Sequence, residues 1–237
     1  MTVLDRLAER VSGSQPLPPA WVVAATGLAA LVIVLNTESW RLAGKVITIA
    51  HEGGHALASV LSGRRLDGIR LHADSSGVTY SRGPRHGPGL VLTAAAGYVT
   101  PPLLGAGAAW LLAGRHQTAV LWLALVLLAA TLLAIRNAFG ALAVLATAAG
   151  VLAVSYFAAA AVQAGFAYLA AWFLLLGGLR PVLELPRRRR RGPRRGASDA
   201  DQLARLTGLP SGVWITLFAL VSIAALAVGV RLLILSA

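Results

Sequence analysis

Seven apolar stretches, each near the length needed to cross a lipid bilayer, follow a polar segment of 20 residues. They lie at residues 21–36, 42–61, 89–113, 118–135, 137–157, 159–179 and 212–235. Backbone polar groups in lipid must be satisfied within the chain, so runs of this length are expected to be helical. The pattern predicts an all-α polytopic membrane protein with about seven transmembrane helices. Six are expected if the short first run or the weakly separated later runs do not each cross.

Composition agrees with one membrane domain, because 57% of the residues are hydrophobic and only 13% are charged. We expect a polar N-terminal segment at 1–20 and a single membrane-embedded domain at 21–237, with polar loops at 62–88 and 181–211. Prolines and mixed charge in the first 20 residues are unlike a cleavable signal peptide, so the first span is expected to remain in the mature protein. Cysteine is absent, which excludes disulfides and thiolate metal ligands.

The sequence His51-Glu52-Gly53-Gly54-His55 places three ionisable groups inside the second apolar stretch. Two histidines four residues apart project from one face of a helix and can bind one metal ion, and the adjacent Glu52 can accept a proton from water activated by that metal. Ionisable groups are costly to bury in lipid, so they are expected to line a protein cavity and to have a function. The alternative is a polar cluster that is satisfied internally.

Positive charges predict the orientation of the chain. An N-terminus in the cytoplasm puts 17 of the 21 lysine and arginine residues on the inner side. These are Arg6, Arg10, the arginines of loop 62–88, Arg136, Arg180, the 187–195 tract and Arg205. The motif then lies in the cytoplasmic half of the second helix, which Gly63 is expected to end. Twenty arginines against a single lysine suggest a GC-rich coding bias, which favours a bacterial source. A multi-pass protein of a bacterium is expected in the plasma membrane.

Alternating apolar residues on both sides of Asp74-Ser75-Ser76-Gly77 predict a small cytoplasmic β-hairpin after the second helix. Ile69 and Leu71 lie on one side of this turn, and Val78 and Tyr80 lie on the other. The hairpin could be a solvated connector. It could also offer an unpaired edge to an extended peptide, because a helix must be unwound before its backbone can be attacked.

The third apolar stretch is interrupted at Gly97-Tyr98-Val99-Thr100-Pro101-Pro102. Two consecutive prolines remove two amide donors from a helix and free carbonyls in the preceding turn. A kink facing the motif would make Gly97 and Pro101 candidates for lining a cavity or a substrate edge. The more frequent explanation is a kink that serves packing alone.

These features, taken in order along the chain, resemble the site-2 protease family of intramembrane zinc metalloproteases, and most of all its compact bacterial peptidase-B-like branch. The likeness is carried by His51 to Ala58 with Leu61 to Arg65, Gly97-Tyr98, Arg136 to Gly140, and Ser198 to Leu203 ahead of Trp214. It implies Zn²⁺ as the cofactor, held by His51 and His55. It also implies that Glu52 is the catalytic base, and that the substrate is a membrane-anchored protein.

One departure from that family concerns the third metal ligand. Members with demonstrated proteolysis usually supply an aspartate from a later membrane helix, whereas this chain has no acidic residue between Asp74 and Glu184. Asn137 lies nearest to that role, and its side-chain oxygen could bind the metal. A neutral amide is a weaker zinc ligand than a carboxylate, so a cap for the fifth helix is the favoured role of Asn137.

Asp199 is the other candidate for the third ligand. Ser198 and Asp201 have the spacing of a capping box, which favours helix capping as the role of this acidic segment. His72 and His86 could approach from the hairpin loop, although lone loop histidines are usually solvated. The sequence leaves the third ligand open.

Arginines dominate residues 187–195, directly after the sixth span. We expect this tract to stay extended and to bind anionic lipid head groups at the membrane surface. No aromatic residue is interleaved with the arginines of Arg187–Arg195, so no nucleic-acid partner is expected.

Two functional hypotheses remain. The first is an intramembrane zinc metalloendopeptidase that cleaves a membrane-anchored protein near the cytoplasmic face. The second is a catalytically inactive member of the same fold, acting as a membrane scaffold or a metal-binding regulator, and it is supported by the missing acidic ligand. A small transporter would need polar groups on several spans, and few are present outside the motif.

Overall fold

The fold was analysed in a computed structural model that describes residues 13–190 and 198–235. The described ranges contain eight helices and one two-stranded sheet. In chain order these are α1 (Ala20–Leu35), α2 (Thr37–Leu61), β1 (Arg65–Leu71), β2 (Gly77–Arg82), α3 (Pro88–Ala113), α4 (Gln117–Ala134), α5 (Ala138–Phe157), α6 (Ala160–Arg190), α7 (Asp199–Thr207) and α8 (Ser211–Leu235). Each of the seven predicted apolar stretches corresponds to one of the long helices.

Local sequence signals set the ends of α2, the helix that carries the motif. The side chain of Asn36 accepts a hydrogen bond from the Ser39 amide at 2.9 Å and so caps the first turn. Gly63 follows the last turn with a φ of 71°, a left-handed conformation that glycine adopts without a Cβ penalty. The predicted stop at Gly63 is confirmed, and it directs the chain into β1.

The predicted β-hairpin is present, with β1 and β2 antiparallel. The register shifts between Leu66 and Gly68, where Gly68 has a φ of 148°. The outer edge of β1 is covered by the α4–α5 connection: the Arg136 amide donates to the Ile69 carbonyl at 2.8 Å, and Ile135 forms a parallel bridge to Ile69. Within the described residues β2 pairs only with β1. The outer edge of β1 is therefore occupied, whereas the outer edge of β2 pairs with no other strand there.

Helix α3 lies at the centre of the bundle and packs against α2, α6 and α8. Pro101 and Pro102 are fully buried, and they pack against Gly178 of α6, where an added Cβ would lie only 2.7 Å from Pro102. Small residues at such crossings allow backbones to approach closely, as is usual between membrane helices. The prolines therefore serve the packing of α3 against α6, as in the second of the two alternatives drawn from the sequence.

Large apolar side chains cover the outside of the bundle. Leu133, Leu142 and Phe157 are 80%, 67% and 81% exposed. An exposed apolar surface of this kind is unfavourable in water and suits lipid. The chain is a multi-pass membrane protein.

Five of the helices are long and apolar enough to cross a membrane singly, or six spans are present if α1 and α2 together form one. The two helices bend by 101° at Asn36. Arg180 of α6 stabilises this bend, because its guanidinium donates to the Val34 carbonyl and lies 4.6 Å from the centre of the Trp40 ring. The first two apolar stretches thus form one bent pair, and if this pair crosses once the total is six, the lower of the two expected counts.

The two ends of the bundle can be identified from hydrogen bonds. Gln15 lies at the end that carries the α3–α4 connection, where its amide donates to the Arg115 carbonyl at 2.9 Å and its side chain binds Thr118. The hairpin lies at the other end, where α2 finishes and α3 begins. Gln15 and the hairpin therefore lie at opposite ends of the bundle, and the side of the membrane that the N-terminus occupies stays a prediction.

The arginine tract falls partly within the described residues. Helix α6 continues as far as Arg190, so the expectation of an extended chain is wrong for the first part of the tract. Residues 191–195 lie outside the described residues. Binding of lipid head groups by Arg187–Arg195 stays a prediction.

The placement of the two ends can be tested by site-directed labelling, because the chain has no cysteine of its own. Single cysteines replacing Ser14 and Ala73, both exposed, should react with a membrane-impermeant maleimide from opposite sides of sealed vesicles. Detergent-solubilised protein, in which both positions should react, is the control. Labelling of both positions from the same side would contradict the single bent crossing.

Candidate metal centre

The two histidines of the motif lie one turn apart on α2 and face the same way. Their Nε2 atoms are 3.1 Å apart, and the ring planes are nearly perpendicular at 87°. His55 is buried and His51 is partly buried. Both rings therefore present a nitrogen to one point inside the protein.

Asp199 supplies an oxygen at this point. Its Oδ2 lies 3.1 Å from Nε2 of His51 and 3.3 Å from Nε2 of His55. Asp199 is the first residue of α7, directly after the N-cap residue Ser198. The predicted capping box is confirmed, but it uses Ser198 and Asp201, which leaves the Asp199 carboxylate available to the histidines.

Helix α7 is held in place by a small hydrophobic cluster. Ala200 and Leu203 are fully buried and pack with Ala94 of α3, Val182 of α6 and Phe218 of α8. This packing fixes the helix N-terminus beside α2. The positive end of the helix dipole also favours a carboxylate at that position.

The three ligand atoms fit a zinc ion in both spacing and chemistry. Two ligands at about 2.1 Å from a tetrahedral zinc lie about 3.4 Å apart, close to the 3.1–3.3 Å separations found here. Two imidazoles and one carboxylate form a common catalytic zinc ligand set, in which a fourth position stays open for water or substrate. Asp199 Oδ2 is buried with both imidazole Nε2 atoms within 3.3 Å of it, as expected for an oxygen that shares a cation with them.

Neighbouring groups orient the imidazoles. The Thr93 carbonyl of α3 lies 2.6 Å from Nδ1 of His55, so Nδ1 carries the proton and Nε2 is left to bind a metal. The ring of His51 packs edge-on against Tyr98, with 4.7 Å between ring centres. Sequence reasoning missed both contacts, since neither residue carries a metal-binding signal of its own.

Glu52 is buried on the side of the centre that faces the hairpin. The Thr79 hydroxyl of β2 donates to Glu52 Oε2 at 2.6 Å and also lies 3.1 Å from the Glu52 carbonyl. A Cβ added at Gly77 would lie 2.6 Å from Cγ of Glu52, so a glycine is needed where β2 passes this carboxylate. The hairpin is thus part of the site, and Thr79 is a further residue that sequence reasoning missed.

A cavity of about 540 Å³ connects these groups. Its lining includes His51, Glu52, Asp199 and residues 75–81, which span the hairpin turn and most of β2. Thr93 and Gly97 stand five and nine residues into α3, about 8–14 Å along the helix axis. The cavity therefore lies below the membrane boundary at the hairpin end of the bundle.

Burial by itself would raise the pKa of the Asp199 carboxyl, yet the two histidines lower it well below its ordinary value. The cause is hydrogen bonding and charge interaction with His51 and His55. Asp199 is consequently the charged partner of the two rings, which is the state needed to bind a metal.

The remaining candidates from the sequence lie in different places. Asn137 precedes α5 but its side chain does not cap that helix; the amide bonds both backbone groups of Leu71 in β1, at 3.2 Å and 2.8 Å. The cap interpretation is therefore wrong, and Asn137 does not line the cavity within the described residues. Gly97 contacts both imidazoles, whereas Pro101 packs against α6. His72 approaches the hairpin residue Ser76 at 3.3 Å.

One known protein family matches most of the chain, including the residues of this site. The family model described as Peptidase M50B-like matches residues 24–229, a range that includes the motif and Asp199. The chain belongs to this family. No curated protein and no solved structure gives a significant match.

Membership of the M50B-like family confirms the resemblance to site-2 proteases and makes this chain a metallopeptidase-type membrane protein. The family match covers all of the long helices at least in part. The cluster of His51, His55 and Asp199 in this chain can hold a metal ion.

Gly97→Ala tests the packing of the centre. The new methyl group would lie 2.4 Å from Nε2 of His55 and 2.6 Å from Nε2 of His51, so at least one ring must move. We expect the affinity for zinc to fall by about 10- to 100-fold, the range seen when groups that support metal ligands are altered. Metal content after dialysis against graded chelators measures this.

The matched control is Gly107→Ala on the same helix, where nothing lies within 4 Å of the added atom. This variant should keep the zinc affinity of the parent protein. It should also unfold with equal or slightly higher stability, since alanine is favoured over glycine within a helix by about 1 kcal/mol. Equal zinc affinity in both variants would refute the proposed crowding at Gly97.

Proposed function

We propose that this chain is an intramembrane zinc metalloendopeptidase that cleaves a membrane-anchored protein near the cytoplasmic face. The observation that carries the proposal is the convergence of His51, His55 and Asp199 within 3.3 Å of one another, with Glu52 lining the same cavity. Ligands, a carboxylate base and space for a substrate are the parts that metal-assisted peptide hydrolysis requires.

His51, His55 and Asp199 would hold the ion, which supplies Lewis acidity that polarises a peptide carbonyl and makes water more acidic. Glu52 accepts a proton as the oxygen of water adds to the carbonyl carbon. It then donates this proton to the nitrogen as the C–N bond breaks, which yields a carboxylic acid and an amine. The Thr79 hydroxyl fixes Glu52 through Oε2.

The substrate is proposed to bind as an extended segment along β2. The outer edge of β1 is already bonded to the α4–α5 connection, whereas β2 borders the cavity and Glu52. Strand addition would hold an unwound peptide by its backbone, with little dependence on side chains. The choice of substrate would then depend on which membrane segments can unwind at this depth.

The hairpin end is proposed to face the cytoplasm of a bacterial cell, with the protein in the plasma membrane. Moving the N-terminal segment with Arg6 and Arg10 to the other side still leaves 15 of the 21 lysine and arginine residues on the hairpin side. The charge asymmetry therefore supports a cavity that opens toward the cytoplasm. It no longer supports a cytoplasmic N-terminus.

The alternative of an inactive scaffold or metal-binding regulator depended on the absence of an acidic third ligand. Asp199 now occupies a suitable position beside both histidines. No observation in the described residues favours the inactive alternative over the peptidase.

Glu52→Gln separates catalysis from metal binding. The amide keeps the size of the side chain and can still accept the Thr79 hydrogen bond, but it cannot take a proton from water. We expect cleavage of epitope-tagged single-span test substrates, selected by cleavage with the parent protein, to fall by about 100-fold or more with zinc content unchanged. Glu38→Gln, the same change at an exposed residue of α2, is the control and should cleave normally. Normal cleavage by Glu52→Gln would exclude Glu52 as the base.

Asp199→Asn tests the third ligand. Replacing the carboxylate by a neutral amide should weaken zinc binding by about tenfold or more. Asp201→Asn, two residues later, is the matched control: Asp201 belongs to the capping box and also binds Ser211. It should lower the free energy of unfolding by about 1 kcal/mol and leave zinc affinity intact. Unchanged zinc affinity in Asp199→Asn, together with weaker zinc binding in Asp201→Asn, would exclude Asp199 as a ligand.

A further inference from the structure

A second cavity, open and about 500 Å³ in volume, lies beside the hairpin where α3 begins. It adjoins the catalytic cavity and shares Arg64, Ser81 and Leu90 with it, although the peptidase mechanism proposed above uses none of its charged groups. Its lining consists of Arg64, Ser81, Arg82, Gly83, Arg85 and Leu90. Three of these six residues are arginines and none is acidic, which is the composition of an anion site.

Arg64 is the fixed member of this group. Its side chain is buried, and its guanidinium donates to the Pro84 carbonyl at 2.7 Å and to the Ser81 hydroxyl at 3.3 Å. Both acceptors are neutral, so neither offsets the charge of the guanidinium. The positive potential of the cavity is therefore built into the hairpin and does not depend on flexible surface side chains.

Among the described residues, one carboxylate forms an ion pair with an arginine of this cavity. Asp67 accepts from Nε of Arg82 at 2.7 Å and 2.9 Å, and the side chain of Arg82 is still 73% exposed. Arg85 is exposed. One acid against three arginines leaves a net positive cavity.

The start of α3 adds to the positive potential. Its N-cap residue Gly87 provides no side-chain cap, and the first turn has no acidic residue. Pro88 has no amide hydrogen and the Leu90 amide donates to the Gly87 carbonyl at 3.2 Å, so the Gly89 amide and the helix dipole are what this end offers to an anion. Leu90, in the first turn, lines the cavity directly.

Exposed apolar side chains lie on α2 and α3, the two helices whose ends meet near this cavity. Leu57 and Leu61 in the last turns of α2 are 56% and 77% exposed, and Leu92 near the start of α3 is 61% exposed. The ends of these helices touch, because Gly89 packs on Ser62 with only 3.1 Å from its added Cβ to the serine Cβ. The positive charge of the cavity suits the head group of an anionic lipid, and the exposed leucines suit its acyl chains.

We propose that this cavity binds the phosphate head group of an anionic phospholipid, with the acyl chains lying along Leu57, Leu61 and Leu92. The lipid would belong to the hairpin side of the membrane. Since Arg64 also lines the catalytic cavity, and Ser81 belongs to β2, the bound head group would contact the strand that borders Glu52.

The test uses the full-length protein in detergent, titrated with short-chain phosphatidylglycerol, with binding followed by native mass spectrometry and thermal unfolding. Arg85→Gln should weaken binding about fivefold, equivalent to about 1 kcal/mol for one basic residue near a membrane surface. Arg70→Gln removes the same charge from an exposed position of β1 outside the cavity and should change binding by less than about twofold.

Two further ligands identify the source of the phosphate. Short-chain phosphatidylcholine and inorganic phosphate at the same concentration should both bind more weakly than phosphatidylglycerol. Equal losses for Arg85→Gln and Arg70→Gln, or no loss for Arg85→Gln, would overturn the site, because the lipid would then respond only to overall charge. Inorganic phosphate binding as tightly as the lipid would overturn the assignment to a lipid.

Discussion

A carboxylate held between two imidazoles below the membrane boundary is the contact on which this architecture depends. Burying such groups away from water is costly unless they satisfy one another or bind a metal. Asp199 comes from a short helix outside the candidate spans, and it meets two histidines of α2, the second helix of the bent pair. The fold must therefore bring a short polar helix to membrane depth and hold it there.

Two features satisfy this requirement. The hydrophobic cluster around Ala200 and Leu203 fixes α7 against three membrane helices. Gly97 leaves room for both imidazole rings on the surface of α3. Loss of either feature would separate the carboxylate from the histidines without touching a ligand, so residues with no chemistry of their own determine the geometry of the centre.

Much of this arrangement could be predicted from the sequence, because local patterns encode it. Hydropathy indicated every long helix, alternation around Asp74 to Gly77 indicated the hairpin, and the motif indicated the two histidines. The bent pair was missed because α1 and α2 each look like a short span, and the bend is stabilised by Arg180 from a distant helix.

The third ligand could not be decided from the sequence, because both aspartates in Ser198 to Asp201 are compatible with capping. A capping box needs an acid only at its third helical position, which Asp201 fills. The role of Asp199 depends on what lies opposite the first turn of α7, and that is set by tertiary packing. Asn137 was misjudged likewise, because its amide bonds a strand 66 positions earlier in the chain.

The order of the ligands along the chain has a consequence for biosynthesis. His51 and His55 leave the ribosome early, whereas Asp199 follows only after most of the membrane domain has been made. A partly synthesised or truncated chain carries two imidazoles and a base without the carboxylate that completes the set. Under the proposed peptidase function, hydrolysis would therefore require that the segment carrying Asp199 has been made and packed against α2.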